Sequence, residues 1–486
     1  MSKEVYVTQE GLCWQAIQEA AENAIVQVCA QIGEFDWLQP YQVIQQYEKR
    51  GSGFFIDEEG HFITNMHVIE HAKRVWIHIP ALGQMPLFVD IVGVCPDRDI
   101  ALLKVSPEAF ERIQAVLGRI LFLEFGDSEN VQRTESVLVM GYPLGQYSLK
   151  ATTGVVSGIE PSRGYSLIQM TAPVNPGSSG GALLNASGQV VGITVSIAPR
   201  SQNIGYAIPI NELRIILVDL YTHRLVRKPF LGARLVNCSD EKSSILGIPR
   251  GSGLYVAKVF ERSLLDVMGI LEGDVLYSIN GLVLDEYGEI MGEGARDKVP
   301  FYDIISRMCI NDVMQLEIYR DGKRMQMSIP LQLHDPFAIR RRYPDYELIE
   351  YEMIAGMVVM ELANNHFKYL LSVAPELAHF SISDFRLSPV LVVTTVLPGS
   401  YAYQVRSINP GDIITSINDI AVSTIADWRK ALTQNLQTSF LTIRTNKNFL
   451  SVLSIEKIIA QEEQLSRAFT YPITESVKRL IDRYKK

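Results

Sequence analysis

From about Gly51 to Pro209 the apolar positions fall in short runs with near-alternation, each closed by turn residues. GFFI (53–56) and HFIT (61–64) flank the turn DEEG and predict a hairpin. VWIHI (75–79), LFVDIVGV (87–94), IALLKV (100–105), SVLVMG (136–141), TGVVSGI (153–159), SLIQM (166–170) and QVVGITVSI (189–197) follow at short spacing. Many short strands without alternating helices predict an antiparallel sandwich or barrel. The stretch 209–225 then switches to helical period, with Ile215, Ile216, Leu217, Leu220 and Tyr221 on one face. It predicts a closing helix, with 226–230 as a linker.

The remainder contains a repeat. LEGDVLYSINGLVL (271–284) and NPGDIITSINDIAV (409–422) match at Gly, Asp, Ser, Ile and Asn in one register. Each is preceded by a strand-like run and followed by a helical segment and a strand pair, so two copies of a small α+β module are expected. The prolines of 333–347 and Arg340–Arg342 predict an exposed linker between the copies. Residues from about 460 onward predict a charged helical tail.

A chain of 486 residues is too long for one core. Its 47% hydrophobic and 20% charged content is that of a soluble globular protein. A net charge of −9 argues against a nucleic-acid or anionic-membrane surface as the main partner. Five scattered cysteines, none in ligand spacing, predict neither a disulfide framework nor a zinc site. No apolar run is long enough to span a bilayer, and no signal segment opens the sequence. A cytoplasmic location is the expectation, with a periplasmic or organellar one if a targeting segment was removed.

The chemistry concentrates around NPGSSGGALLN (175–185). A catalytic serine needs a base and a group to orient that base. Of His61, His67, His71 and His78, only His67 sits just after a strand, where a turn can aim it into a cleft. Asp97 and Asp99 are both candidate orienting groups. Asp99 directly precedes the buried-looking IALLKV and suits an imidazole partner at the mouth of a core. Of the serines, Ser179 has Gly177 two residues before it, so their amides can converge on one oxyanion.

The candidates run His, Asp, Ser, the chymotrypsin order. Together FITNMHVI, PDRDIALLKV, GVVSGIE, TAPVNPGSSGGALLN and IGYAIPI resemble the HtrA/Deg family of trypsin-like serine proteases. The two repeats resemble the PDZ domains of that family, the second closest to its plant and organellar branch. The resemblance implies a mainly β fold, a chymotrypsin-like double β-barrel followed by two small α+β PDZ domains. It implies His67 as general base, Asp99 as orienter and Ser179 as nucleophile. The oxyanion hole would be the amides of Gly177 and Ser179 with help from Ser178. A small aliphatic pocket would form from Val174, Ile197 and Ala198, and a carboxylate-binding loop from Phe230, Leu231 and Gly232. Where the family commonly has Asn, Pro and Asp, this chain has Ser178, Ala182 and Ala172; none supplies a triad atom.

The expected organisation is an oligomerisation segment (1–23), a protease domain (24–225), PDZ domains (226–335 and 346–458) and a tail (459–486). Trp14, Ile17 and Ile25 would be surplus apolar residues for trimer-based assembly. The insert carrying YLLSVAP (369–375) would fold across the second PDZ groove and leave it self-occupied. The expected activity is ATP-independent cleavage of unfolded or damaged polypeptides, with no metal or cofactor and with C-terminal peptides bound at the first PDZ domain. The alternative is a chaperone or scaffold with little proteolysis.

Overall fold

Two closed barrels of six strands each dominate the first half of a computed structural model. It describes residues 13–162, 165–196, 204–228, 230–291, 298–332, 336–434 and 439–484. The first barrel uses β1 (Ile25–Phe35), β2 (Val43–Phe55), β3 (His61–Thr64), β4 (Ala72–His78), β5 (Leu87–Cys95) and β6 (Ile100–Val105). They close in the order β1-β2-β3-β6-β5-β4. The expected hairpin forms, with Phe54 opposite Ile63 and Phe55 opposite Phe62. The second barrel uses β7 (Ser136–Gly141), β8 (Lys150–Ser162), β9 (Tyr165–Met170), β10 (Ala182–Leu184), β11 (Val190–Val195) and β12 (Gly205–Pro209). Its order is β10-β11-β12-β9-β8-β7. Closure removes the sheet edges and leaves the continuous apolar runs buried.

A helix, Pro107–Leu117, joins the barrels where the sequence reading placed no element. Its signals are local: Ser106 caps it by accepting from the Ala109 N–H, proline takes the first turn, and Gly118 ends it at φ +77°. The closing helix is Ile210–Thr222, with Leu213, Ile216 and Leu220 buried. Three described residues near the start of the chain pack within it. Ile17 and Ile25 are buried in the core with Leu184, Val190 and Leu213, and Trp14 packs against them. Ile17 and Ile25 leave no apolar surplus, and Trp14 is partly covered.

The chain divides into two compact units, Met1–Ile32 with Gln46–His334 and Gly33–Gln45 with Asp335–Lys486. The first unit therefore joins the barrels to the first α+β module. In that module the strand Ala233–Asn237 lies at the sheet edge and, among the described residues, pairs only with Leu254–Val259.

The repeat has a structural basis. Asp274 and Asp412 are buried, and each carboxylate accepts the amide three residues earlier, from Leu271 and Asn409, at 2.8 Å. Arg320 pairs with the first and Lys447 with the second. Asn280 and Asn418 both sit at φ +49°, where asparagine is favoured among residues with a side chain, and turn the strand onto its partner. Each asparagine side chain also accepts an amide from the next strand, Gln315 or Thr442.

The second unit differs from expectation in three places. The segment expected as an exposed linker is tied down. Ile339 is fully buried, its amide and carbonyl both bonded to Arg386, and Arg340 pairs with Glu347 at 2.7 Å. The expected tail (459–486) is part of the core: Val477 and Leu480 on the helix Glu475–Tyr484 pack with Trp428, Leu432 and Ile458. The insert does not lie across the groove. Leu370, Ala374 and Leu377 pack instead with Ile339, Leu362, Val392 and Ile413.

Another segment takes the free edge. The strand Tyr351–Ile354 runs antiparallel to Met357–Glu361 through the turn at Ala355 (φ +55°) and Gly356. Ile354 is buried with Trp428 and Ala431 of the helix Ile425–Thr433. At the turn, the buried Glu462 accepts from the Ala355 amide at 3.2 Å and from the Tyr471 hydroxyl at 2.9 Å. Residues 33–45 contribute to this unit as well. Trp37 packs edge-on against His366, Leu38 joins the insert's cluster, and the Leu38 carbonyl accepts from the Thr394 hydroxyl at 2.9 Å.

Candidate active site

His67 lies on the single turn Met66–Ile69 that follows β3, held there by the first barrel. Asp99 occupies the tight turn between β5 and β6 at φ +54°, a conformation that aspartate tolerates better than most residues. Its carboxylate grips the histidine twice. Oδ2 is 2.6 Å from His67 Nδ1, and Oδ1 accepts the His67 amide at 2.8 Å. The Asp99 carbonyl also accepts from Asn65 Nδ2 and the Met66 amide. Asp97 instead accepts the Lys228 amide, so the structure separates the two sequence candidates. Beside them Arg98 forms a buried ion pair with Glu212 at 2.7 Å, fastening this turn to the helix Ile210–Thr222.

With Nδ1 facing a carboxylate, that nitrogen carries the proton and Nε2 is the basic one. His61 is committed elsewhere, to Asp57 at 2.7 Å. Burial pushes the thiols of Cys29 and Cys95 up, to about 12 and about 11, so neither offers a thiolate near neutral pH.

Ser179 comes from the second barrel, in the loop that runs straight into β10. Its loop packs against the histidine-bearing segment. A Cβ at Gly51 would meet both Val68 and the Ser179 carbonyl, and one at Gly180 would lie 2.2 Å from the Ser52 carbonyl and 2.4 Å from Thr64 Oγ1. The Ser52 amide donates to the Ser179 carbonyl at 2.8 Å. Ser179 Oγ accepts the Ser196 amide at 3.2 Å. Among the described residues it makes no hydrogen bond to His67, a bond that commonly tightens only with substrate in place.

The Ser178 amide is spent on the Asn175 carbonyl at 2.9 Å, so the help expected from that amide is withdrawn. The amides of Gly177 and Ser179 donate to no group among the described residues. Val174 stands where the pocket was expected, beside β12. A Cβ at Gly205 would lie 2.9 Å from it. Ile197 and Ala198, the other two pocket residues, lie outside the described residues.

In the segment expected to bind a peptide carboxylate, Phe230 to Gly232, Gly232 lies at φ +82° and Leu231 is buried. Phe230 stacks on Phe260. The Leu231 and Gly232 amides donate to no group among the described residues, and the strand Ala233–Asn237 leads from them.

Sequence reading passed over Ser52 and Thr194, both fully buried and both bonded to the serine loop. The available signal was a hydroxyl inside an apolar strand, with flanking glycines at Ser52 that allow close backbone approach.

Comparison with known proteins finds similarity to proteases. A trypsin-like peptidase domain matches residues 51–193, and a PDZ domain matches 392–442. A DegP-like periplasmic serine endoprotease of Marinomonas sp. is 27% identical over 394 residues, 79% of this chain and 74% of that protein. A similarly named protein of Chlamydia pneumoniae is 25% identical over 84% of this chain and 74% of its own length. Among solved structures, the HtrA-type protease AlgW with decapeptide shares the fold at a TM-score of 0.51 and 22% identity, covering 67% of this chain and all of that one. A trypsin-like peptidase domain followed by a PDZ domain is thus present, and the chain is homologous to the DegP/HtrA serine endoproteases.

Proposed function

We propose that this chain cuts unfolded or damaged polypeptides without nucleotide hydrolysis, using Ser179 as nucleophile, His67 as general base and Asp99 as the orienting carboxylate. The doubly held His67–Asp99 pair carries this reading, because it fixes one tautomer and one ring orientation. His67 Nε2 takes the Ser179 proton as Oγ bonds to the scissile carbonyl carbon. The carbonyl π electrons move to oxygen, where the Gly177 and Ser179 amides receive them. His67 then gives the proton to the leaving amine as the C–N bond breaks. Water repeats the sequence on the acyl-enzyme and frees Ser179. No P-loop is present in the sequence, which supports independence from ATP.

Val174 and the apolar strands beside it support a small aliphatic P1 side chain. The one-sided edge strand Ala233–Asn237 supports peptide capture at the first module, where an extended C-terminus would add as a strand and place its carboxylate at Leu231 and Gly232. The second module is self-occupied, by Tyr351–Ile354 and not by the insert. The relatives' names include "periplasmic", which supports the periplasmic alternative over the cytoplasmic one. No described helix is long and apolar enough to cross a membrane. Assembly on trimers rests on the family resemblance alone.

The deciding experiment is fluorophosphonate labelling with digestion of an unfolded and a native form of one substrate protein. Label on the wild type but not on Ser179→Ala, with the unfolded form cut first, is expected. Label persisting on Ser179→Ala refutes the assignment.

A further inference from the structure

The carbonyls of residues 176–179 are all held by hydrogen bonds. Pro176 O accepts from the Leu144 amide at 2.6 Å, and Gly177 O from the Ser52 hydroxyl at 2.8 Å. Ser178 O accepts from the Thr194 hydroxyl at 2.6 Å and the Gly181 amide at 3.0 Å, and Ser179 O from the Ser52 amide. In a planar trans peptide the C=O and the following N–H point in opposite directions. Holding Ser178 O therefore aims the Ser179 N–H the other way, and holding Pro176 O does the same for the Gly177 N–H. Gly177 O belongs to the peptide between those two. Gly177 sits at φ +96°, in a region where a glycine imposes little steric barrier, so its peptide needs an outside anchor.

From this we infer that Thr194 and Ser52 are positioning residues for the oxyanion hole. The Thr194 hydroxyl aims the Ser179 amide, and the Ser52 hydroxyl keeps the intervening peptide from turning over. Both side chains are fully buried in barrel strands, Thr194 on β11 and Ser52 on β2, so the two anchors come from different barrels. The Ser52 hydroxyl is itself fixed, because it accepts the Tyr142 amide at 2.8 Å while donating to Gly177. Removing the Ser52 hydroxyl leaves Gly177 O without a donor among the described residues, and removing the Thr194 hydroxyl leaves Ser178 O on the longer Gly181 bond alone, so each loss loosens the peptide it held. Neither residue touches the substrate; each acts through backbone amides.

The inference rests on Ser179 as nucleophile, and its test separates the two. Thr194→Val keeps the side-chain shape and loses the hydroxyl; Ser52→Ala does the same for the other anchor. Each variant is expected to lose about 10-fold or more in kcat, less than the 10²–10³ that deleting an oxyanion donor costs. KM on a peptide substrate is expected to stay within about twofold, and fluorophosphonate labelling to slow in parallel. A peptide boronate, whose tetrahedral adduct presents an oxygen to the hole, is expected to bind more weakly. Thr194→Ser restores the hydroxyl and is expected to restore kcat. Assays run well below each variant's melting midpoint, and Ser52→Ala serves if Thr194→Val does not fold. A kcat within twofold of wild type in a folded variant, or a loss confined to KM, overturns the inference. Turnover retained by Ser179→Ala overturns the nucleophile assignment instead.

Discussion

Glu462 puts a pH dependence into the second unit that can be worked from the structure. Burial in that core raises its carboxyl to about 7, against hydrogen bonds from Tyr471 and Ala355 that favour the charged form. In an unfolded chain the same group titrates near 4.5. Between those two values the folded state holds a proton that the unfolded state has released, so stability falls as pH rises through that window. Below the window nothing is lost, and above it the loss is complete. At about 1.4 kcal/mol per pH unit the full effect is roughly 3 kcal/mol, an opening constant changed on the order of 100-fold. Glu462→Gln removes the titration and keeps the shape. Hydrogen–deuterium exchange of peptides covering 350–361 and 455–471, wild type against Glu462→Gln at matched pH, reads the opening directly. The variant is expected to gain protection over wild type from pH 4 to pH 8, with most of the gain between about 5 and 7. A gap that does not move with pH refutes the reasoning, because it means that Glu462 ionises as easily in the fold as in water.

Asp99→Asn is expected to keep the fold, since asparagine also tolerates φ +54°, and to cut kcat on the order of 10⁴ by releasing the His67 tautomer; an effect below tenfold in steady-state peptide cleavage counts against the pair. A peptide-library digest is expected to favour Ala and Val at P1 in graded fashion, at about 1–3 kcal/mol per methylene, and strong preference for Lys or Arg refutes the pocket. Apolar C-terminal peptides are expected to bind the full chain in isothermal titration. Gly232→Val is expected to abolish that binding, since a Cβ there would sit 1.9 Å from Ser263 Cβ; unchanged heat on titrating this variant refutes the first-module site. Gly356→Val is expected to leave the binding intact.

The parts of this protein legible in the sequence are those where a residue's local signal and its job coincide. His67 follows a strand, Asp99 precedes a continuous buried run, and Ser179 sits among glycines, so sequence spacing alone narrows each choice. The repeat was equally visible, because Asp274, Asp412, Asn280 and Asn418 are fixed by hydrogen bonds a few residues away or by their own backbone angles. What could not be read was the partner of each apolar face. The helices Ile455–Phe469 and Glu475–Tyr484 look like a charged tail because their buried residues are sparse, and only contact with Trp428 and Leu432 makes them core. The insert looked like a groove ligand because its apolar residues needed a cover, which Ile339 and Val392 supply instead. Arg340 reads as exposed charge, whereas it pairs with Glu347, and the neighbouring Ile339 carbonyl is bonded by Arg386.

Residues 33–45 belong to the second unit while the strands on either side belong to the first barrel. The backbone therefore passes between the units three times, after Ile32, before Gln46 and after His334. A gene shortened at the end of the first module would not delete a free-standing cassette. It would strip the cover from Trp37 and Leu38, on the hairpin between β1 and β2, and leave an apolar tip bare on the protease. Expressing 346–458 alone would fail for the complementary reason, since its Thr394 hydroxyl and Met360 side chain lose partners encoded more than three hundred residues upstream. The module matched at 392–442 therefore folds on residues encoded between β1 and β2, and a transplant of it carries those residues along if it is to keep its core.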